Sequence, residues 1–182
     1  MEQKHFGLNS MENLENLNKI LKSKAMSLGL CAQWTSEWDP ESTQDELIGK
    51  FKRGLDFCIK HNYPSNEVVK SFFSPEILRK HHVYVDEFLD IDNCESDIYV
   101  IQGGSNMRLT FDKYTVATIS IRHSSNVNIT CLGNSRVFVR VYDNSNVSIS
   151  QDMNSKAFVR VYSELSKVKT SGNVVLTKRF SE

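Results

Sequence analysis

The residues of this chain best suited to chemistry come twice. Phe-Val-Arg-Val-Tyr occupies positions 138–142 and returns unchanged at 158–162. Alternate residues of a strand share a face, so Phe138, Arg140 and Tyr142 would project together. Phe158, Arg160 and Tyr162 would do the same one repeat later, with Arg136, Lys156 and Arg122 beside them. Arginine and aromatic side chains dominate interface energetics and also stack on nucleic-acid bases. What they offer is recognition through charge, stacking and cation–π contact.

Residues for bond-making chemistry are weakly arranged. His123-Ser124-Ser125 contains a base and two hydroxyls, but neighbours on a strand point to opposite faces, which argues against a base and nucleophile pair. Gln102-Gly-Gly-Ser105 precedes a strand and lacks the Lys and second Gly of a phosphate loop, and neither H-E-x-x-H nor G-x-S-x-G occurs. His81 and His82 are adjacent and cannot chelate like an i, i+4 pair. Asp86, Glu87, Asp90 and Asp92 lack the Gly and terminal Glu of a calcium loop and read as a solvated linker. Trp34 and Trp38, four apart, read as packing beside helices and not as a ligand cage. Cys31, Cys58, Cys94 and Cys131 are scattered without a C-x-x-C pair and read as free, mostly buried thiols. The expectation is a protein with no catalytic residue, no metal ligand and no cofactor.

The elements that must position the Phe/Arg/Tyr repeat are legible around it. Serines fall at 105, 125, 135, 145 and 155, and apolar residues follow them at fixed offsets: Met107, Leu109, Phe111; Ala117, Ile119, Ile121; Val127, Ile129, Cys131; Val137, Val139, Val141; Val147, Ile149; Ala157, Val159, Val161. The step within a block is two, that of a strand with one buried face. The step between blocks is ten, and fixed-period self-similarity marks a stacked repeat. Two strand-and-turn units make one coil of twenty residues, which predicts a β-solenoid of about four coils from residue 96 to about 176. An antiparallel β-meander turned at Asp143-Asn144 is the alternative, but a solenoid sets residues twenty apart above each other and so explains the identical pentapeptides. The Asn-Ser pairs at 134, 144 and 154 would sit at the turns, where Asn tolerates left-handed backbone. On the outer surface, Arg108, Thr110, Asn128, Thr130, Ser148 and Ser150 would form one polar face and the Phe/Arg/Tyr ladder the other.

The preceding residues are helical. Leu14, Leu17, Leu21, Met26 and Leu28 predict a helix over 11–28 ended by Gly29. Thr43-Gln-Asp-Glu46 has capping-box spacing and opens a second helix through Leu47, Ile48, Phe51, Leu55, Cys58 and Ile59. Ser65 and Ser74-Pro75 start two short helices at about 66–73 and 75–81. The fold expected is α+β, with a helical region over 1–93 capping the β-solenoid over 94–182, since a solenoid end exposes unpaired strand edges.

Composition is that of a folded globular chain, 40% hydrophobic and 24% charged with zero net charge. Residues 1–93 carry 11 basic against 15 acidic side chains, and 94–182 carry 11 against 7. This modest asymmetry fits a basic partner surface in the second half or attraction between the halves. No apolar run approaches the length of a membrane span, and Met1 to Ser10 lacks the layout of a secretory signal, so a cytoplasmic location without membrane contact is expected.

At "FDKYTVATISIRHSSNVNIT", residues 111–130, and "LGLCAQW…DELIGKFKRGLDFCIKHNYPS" before it, the chain resembles uncharacterised proteins of Bacteroidetes prophages and other mobile elements. Those combine a short helical region with "Y-x-V-x-x-I-x-I-R-H-x-S" and a Ser-punctuated β-rich tail. The resemblance transfers no catalytic residue. It implies an adaptor or inhibitor that binds a host enzyme, including CRISPR-type defence effectors. The function expected is therefore protein binding through Phe138, Arg140, Tyr142, Phe158, Arg160 and Tyr162, with Arg136, Lys156 and Arg122. Nucleic-acid binding by the same ladder is the alternative, disfavoured by zero net charge. Self-assembly of copies through the solenoid edges is a third reading.

Overall fold

The computed structural model describes residues 10–180. The chain divides into two compact units, Met1–Ile77 and Leu78–Glu182. Helices α1 (Ser10–Ser27), α2 (Ala32–Ser36), α3 (Gln44–Arg53), α4 (Leu55–His61), α5 (Asn66–Phe72) and α6 (Pro75–Lys80) come first in the chain. No helix among the described residues is long and apolar enough to cross a membrane.

Leu17, Leu21 and Ala25, at steps of four, form the buried stripe of α1, while Met26 is exposed. Apolar character without the four-residue step misplaced Met26. The capping box forms as read: the Glu46 amide donates to Thr43 Oγ1 at 3.3 Å, and the Thr43 amide donates to the Glu46 carboxylate at 2.7 Å. The expected second helix is two helices, because Gly54 leaves helical geometry at φ −93°, ψ 22°. A Cβ there would stand 3.3 Å from the Lys50 carbonyl and 3.5 Å from the Trp34 ring, so glycine permits the ring's close approach. Arg53 lies over that ring at 5.8 Å, and the Trp38 indole donates to buried Asn18, so both tryptophans have structural partners.

The second unit is a parallel β-solenoid. Its strands are β1 (Val83–Val85), β2 (Phe88–Ile91), β3 (Ile98–Gln102), β4 (Asn106–Phe111), β5 (Val116–Ile121), β6 (Asn126–Cys131), β7 (Arg136–Val141), β8 (Asn146–Gln151), β9 (Lys156–Val161), β10 (Lys167–Ser171) and β11 (Val175–Lys178). Odd strands form one six-stranded sheet in the order β1-β3-β5-β7-β9-β11, and even strands form a five-stranded sheet, β2 to β10. All pairings are parallel, which excludes the meander. In the central coils partners differ by twenty residues, as in Thr118↔Phe138↔Phe158 and Val127↔Val147.

Each predicted inward residue is buried between the two sheets, from Met107 to Val161. Stacking serves both neighbours of every rung, so a strand too short to fold alone gains an apolar floor and ceiling. Two boundaries differ from expectation. The solenoid unit begins near residue 78, not 94, because β1 and β2 already belong to the stack. Asp86, Glu87, Asp90 and Asp92 thus lie in its first coil and not in a linker. At the other end β10 and β11 extend it to Lys178, giving five coils and one further strand where about four coils were expected.

The serine beat is a feature of the corners. Ser105, Ser125, Ser135, Ser145 and Ser155 are enclosed. Ser125 Oγ donates to the Arg122 carbonyl at 2.9 Å and to Gly103, one coil earlier, at 3.2 Å; Ser155 Oγ reaches the Cys131 carbonyl at 2.9 Å. At these two corners a small hydroxyl fits inside and satisfies carbonyl groups that have left the strand ladder, whereas the buried Ser135 hydroxyl makes no hydrogen bond among the described residues. At Asn134 and Asn144 the left-handed residue is the one before, Gly133 (φ 61°) and Asp143 (φ 55°), with Lys113 and His123 in the equivalent places; neither Asn154 nor the residue before it is left-handed, whereas Asn93, after β2, is left-handed itself at φ 54°. At Gly133 a Cβ would meet Asp112 Oδ1 at 2.5 Å, so here glycine is required by space as well as by φ.

Candidate protein-binding face

Beyond a starting column of Val116, Arg136 and Lys156, the outward residues of the six-stranded sheet form three further columns. Ile98, Thr118, Phe138, Phe158 and Val175 make the first, and Val100, Ser120, Arg140, Arg160 and Thr177 the second. Gln102, Arg122, Tyr142 and Tyr162 make the third, tied by the amides of Arg122 and Tyr142 to the Ile101 and Ile121 carbonyls, and of Tyr162 to Val141. The backbone sets the side-chain spacing. Phe138 and Phe158 lie 5.1 Å apart with planes at 10°, and Tyr142 and Tyr162 lie 4.8 Å apart at 7°, matching the separation of neighbouring strands.

The columns change character along the stack. Val100, Ser120, Gln102 and Arg122 are buried, whereas Phe138 is 42% exposed and Arg136, Lys156 and Arg160 are exposed. Arg140, Tyr142, Phe158 and Tyr162 are half-buried. The open face therefore consists of β7, β9 and β11. Eight of the nine residues expected in the binding surface lie together on it. Arg122 does not: at 3% exposure it is enclosed, with Nε 4.0 Å from Asp143 Oδ2. The physical reason is that Asp143, at the corner one coil later, turns its carboxylate toward Arg122, and a buried guanidinium needs such a countercharge.

Three further residues continue the face and were missed. Val175 pairs with Phe158 and Thr177 with Arg160, while the Arg179 amide bonds the Val161 carbonyl at 2.7 Å and follows Tyr162. The step from Phe158 to Val175 is seventeen residues, so the ten-residue beat passes over it. The alternation Val175, Thr177, Arg179 was the remaining signal.

Charge on this sheet is one-sided. None of its six strands contains an aspartate or glutamate, although Arg136, Arg140, Lys156, Arg160 and Lys178 lie on them. Nearby acids, Asp143 and Glu164, sit at corners. On β4, β6 and β8 the outward face of the other sheet is Asn106, Asn126, Asn146; Arg108, Asn128, Ser148; Thr110, Thr130, Ser150, polar as expected, while Phe88 of β2, in line with Asn106, is exposed. No family model, no curated protein and no solved structure matches the chain. What the face does is therefore read from its side chains.

The residues set aside as chemically weak have structural work. His123 Nδ1 accepts the Gly103 amide at 3.0 Å, which places the ring proton on Nε2, and the His123 amide donates to Asp143 Oδ2 at 2.8 Å. Ser124 and Ser125 both direct their hydroxyls to the Gly103 carbonyl, at 3.3 and 3.2 Å. Histidine and serines together fasten one corner to the next. His82 stacks on Tyr99 with centroids 4.5 Å apart, its Nε2 3.6 Å from Asp97. Burial pushes the Cys94 thiol up to about 11 and the Cys131 thiol up to about 12, so neither supplies thiolate near neutral pH. Cys31 is the exposed cysteine.

Proposed function

We propose that this chain is a non-catalytic protein-binding module that docks the open face of β7, β9 and β11 on an acidic surface of another protein. The observation that carries this reading is the carboxylate-free sheet on which Arg140 and Arg160 stand in register between two aromatic columns. In register on adjacent strands, the two guanidinium groups can offer their donors to one partner carboxylate in charge-assisted hydrogen bonds. Phe138, Val175 and the tyrosine edges supply the apolar area around it.

A protein partner is favoured over single-stranded nucleic acid by the rings themselves. Phe158 stacks on Phe138 and Tyr162 on Tyr142, so these rings cover each other's faces and turn their edges outward. Base binding on aromatic platforms uses an open ring face. The resemblance to mobile-element proteins supplies the narrower form of the reading, an inhibitor of a host defence effector, CRISPR-type systems among them.

Affinity purification from host cells with mass spectrometry identifies the partner. Arg140→Glu with Arg160→Glu is expected to abolish capture of that purified partner. Undiminished capture would remove the ladder from the interface, and capture of nucleic acid with a steep salt dependence would favour the other ligand class.

A further inference from the structure

The last coil of the solenoid ends on strands that no later strand covers: β10 closes the five-stranded sheet and β11 the six-stranded one. Every residue of β10 except Val168 is exposed. Its register against β8 sets Lys167, Lys169 and Ser171 outward in line with Asn146, Ser148 and Ser150, and Val168 inward in line with Val147. From Ser166 to Phe180 the chain carries Lys167, Lys169, Lys178 and Arg179 and no acidic residue. None of these four has an ion pair among the described residues.

Cations on an edge strand discourage indiscriminate pairing. The same residues select for a strand of opposite charge, because directly opposed side chains of opposite sign stabilise adjacent strands. This sheet already makes that contact once. Asp90, Arg108, Asn128, Ser148 and Lys169 share one outward column, and at its beginning Arg108 pairs with Asp90 across adjacent strands at 2.7 Å. Lys169 ends the column in want of the equivalent acid.

We propose that the free edge of β10 accepts an extended segment of a partner protein as an added strand, with the pattern acidic, apolar, acidic. The two acids would lie beside Lys167 and Lys169, and the apolar residue beside Val168 over the core. Main-chain hydrogen bonds would supply affinity and the alternating side chains selectivity. This edge belongs to the other sheet from the Phe/Arg/Tyr face, and the proposal stands independently of it. A second copy of the chain fits less well. Tail to tail, Lys167 and Lys169 would meet like charges, and in the first coil Asp90 is engaged by Arg108, Glu87 by Arg79 and Asp86 by the Gly104 amide.

The test uses the full chain and two fluorescein-labelled heptapeptides, one alternating Glu and Val and the other alternating Lys and Val. Anisotropy should show saturable binding of the Glu/Val peptide alone, at least tenfold weaker in Lys167→Glu with Lys169→Glu and unchanged in Arg140→Glu with Arg160→Glu. Amide hydrogen exchange should slow over residues 167–171 when that peptide binds. The exposed lysine variants should melt as the parent does. The proposal is overturned by equal binding of the Lys/Val peptide, by no loss in the lysine variant, or by unslowed exchange in β10. A mass that rises with concentration in peptide-free light scattering, and reverts in the lysine variant, would instead make a second copy the occupant.

Discussion

The two sheets of the solenoid share a core, a coil length in the central turns and a set of buried serine corners, yet they present different outward faces. On β4, β6 and β8 that face is Asn, Thr and Ser, with Arg108 held by Asp90 of β2. On β7 and β9 it is Phe, Arg and Tyr. Backbone pairing is parallel and continuous on both. The even sheet thus shows that small polar residues satisfy the outside of this fold. The large residues of the odd sheet exceed that requirement and, apart from the enclosed Gln102 and Arg122, stand on rungs where the columns emerge from burial. Part of it stabilises the chain directly, since stacked aromatic pairs contribute roughly 0.5–1.5 kcal/mol each. The arginines in register are the part of this face on which the proposed docking depends.

The comparison is broken most decisively at the partner. Arg140→Glu with Arg160→Glu should weaken partner binding by at least about 100-fold, the scale of a buried hot-spot pair. Asn128→Glu with Ser148→Glu on the even face should leave it within about twofold; equal losses would dissolve the distinction. Next come the shared inner columns. Ile119→Ala and Ile129→Ala, one from each sheet, should each lower unfolding free energy by about 3 kcal/mol in urea titration. Clearly unequal losses would show that the sheets differ inside as well as outside. Phe138→Thr with Phe158→Thr should cost only about 1 kcal/mol in the same titration while impairing partner binding far more.

The smallest effect concerns corners. The amides of Ser155 and Gly133, foremost, hold the half-buried Asp152 carboxyl below the usual carboxylate range. A folded value below the unfolded one stabilises the chain above the ordinary carboxyl pKa, about 4, and that contribution fades as pH falls through the folded value. Asp152→Asn should therefore flatten the acid side of the melting-temperature profile slightly. An unchanged profile would show that the Asp152 corner adds nothing.

Much of the fold was legible because a stacked coil writes its geometry twice, as a step of two along each strand and a step of twenty between rungs. The central coils keep both periods, so every inward residue from Met107 to Val161 was assigned correctly. At the ends the second period fails. Val83 pairs with Val100 at a step of seventeen, Lys167 with Asn146 at twenty-one and Val175 with Phe158 at seventeen. End coils tolerate changed corner lengths because one neighbour, not two, constrains them. For that reason β1, β2 and β11 were hidden, and with them the true setting of the acidic cluster and the continuation of the candidate face at Val175, Thr177 and Arg179.

The sequence by itself determined the columns. Once the strands stack in parallel at constant coil length, local alternation and the twenty-residue repeat set Phe158 over Phe138, Arg160 over Arg140 and Tyr162 over Tyr142. Tertiary structure alone decided which members of a column reach solvent and which are enclosed. Arg122 and Tyr142 occupy consecutive rungs of one column, yet one is buried beside Asp143 and the other is half-exposed. The Asp143 carboxylate that stands beside Arg122 belongs to the corner one coil later, and no alternation within the strand encodes that.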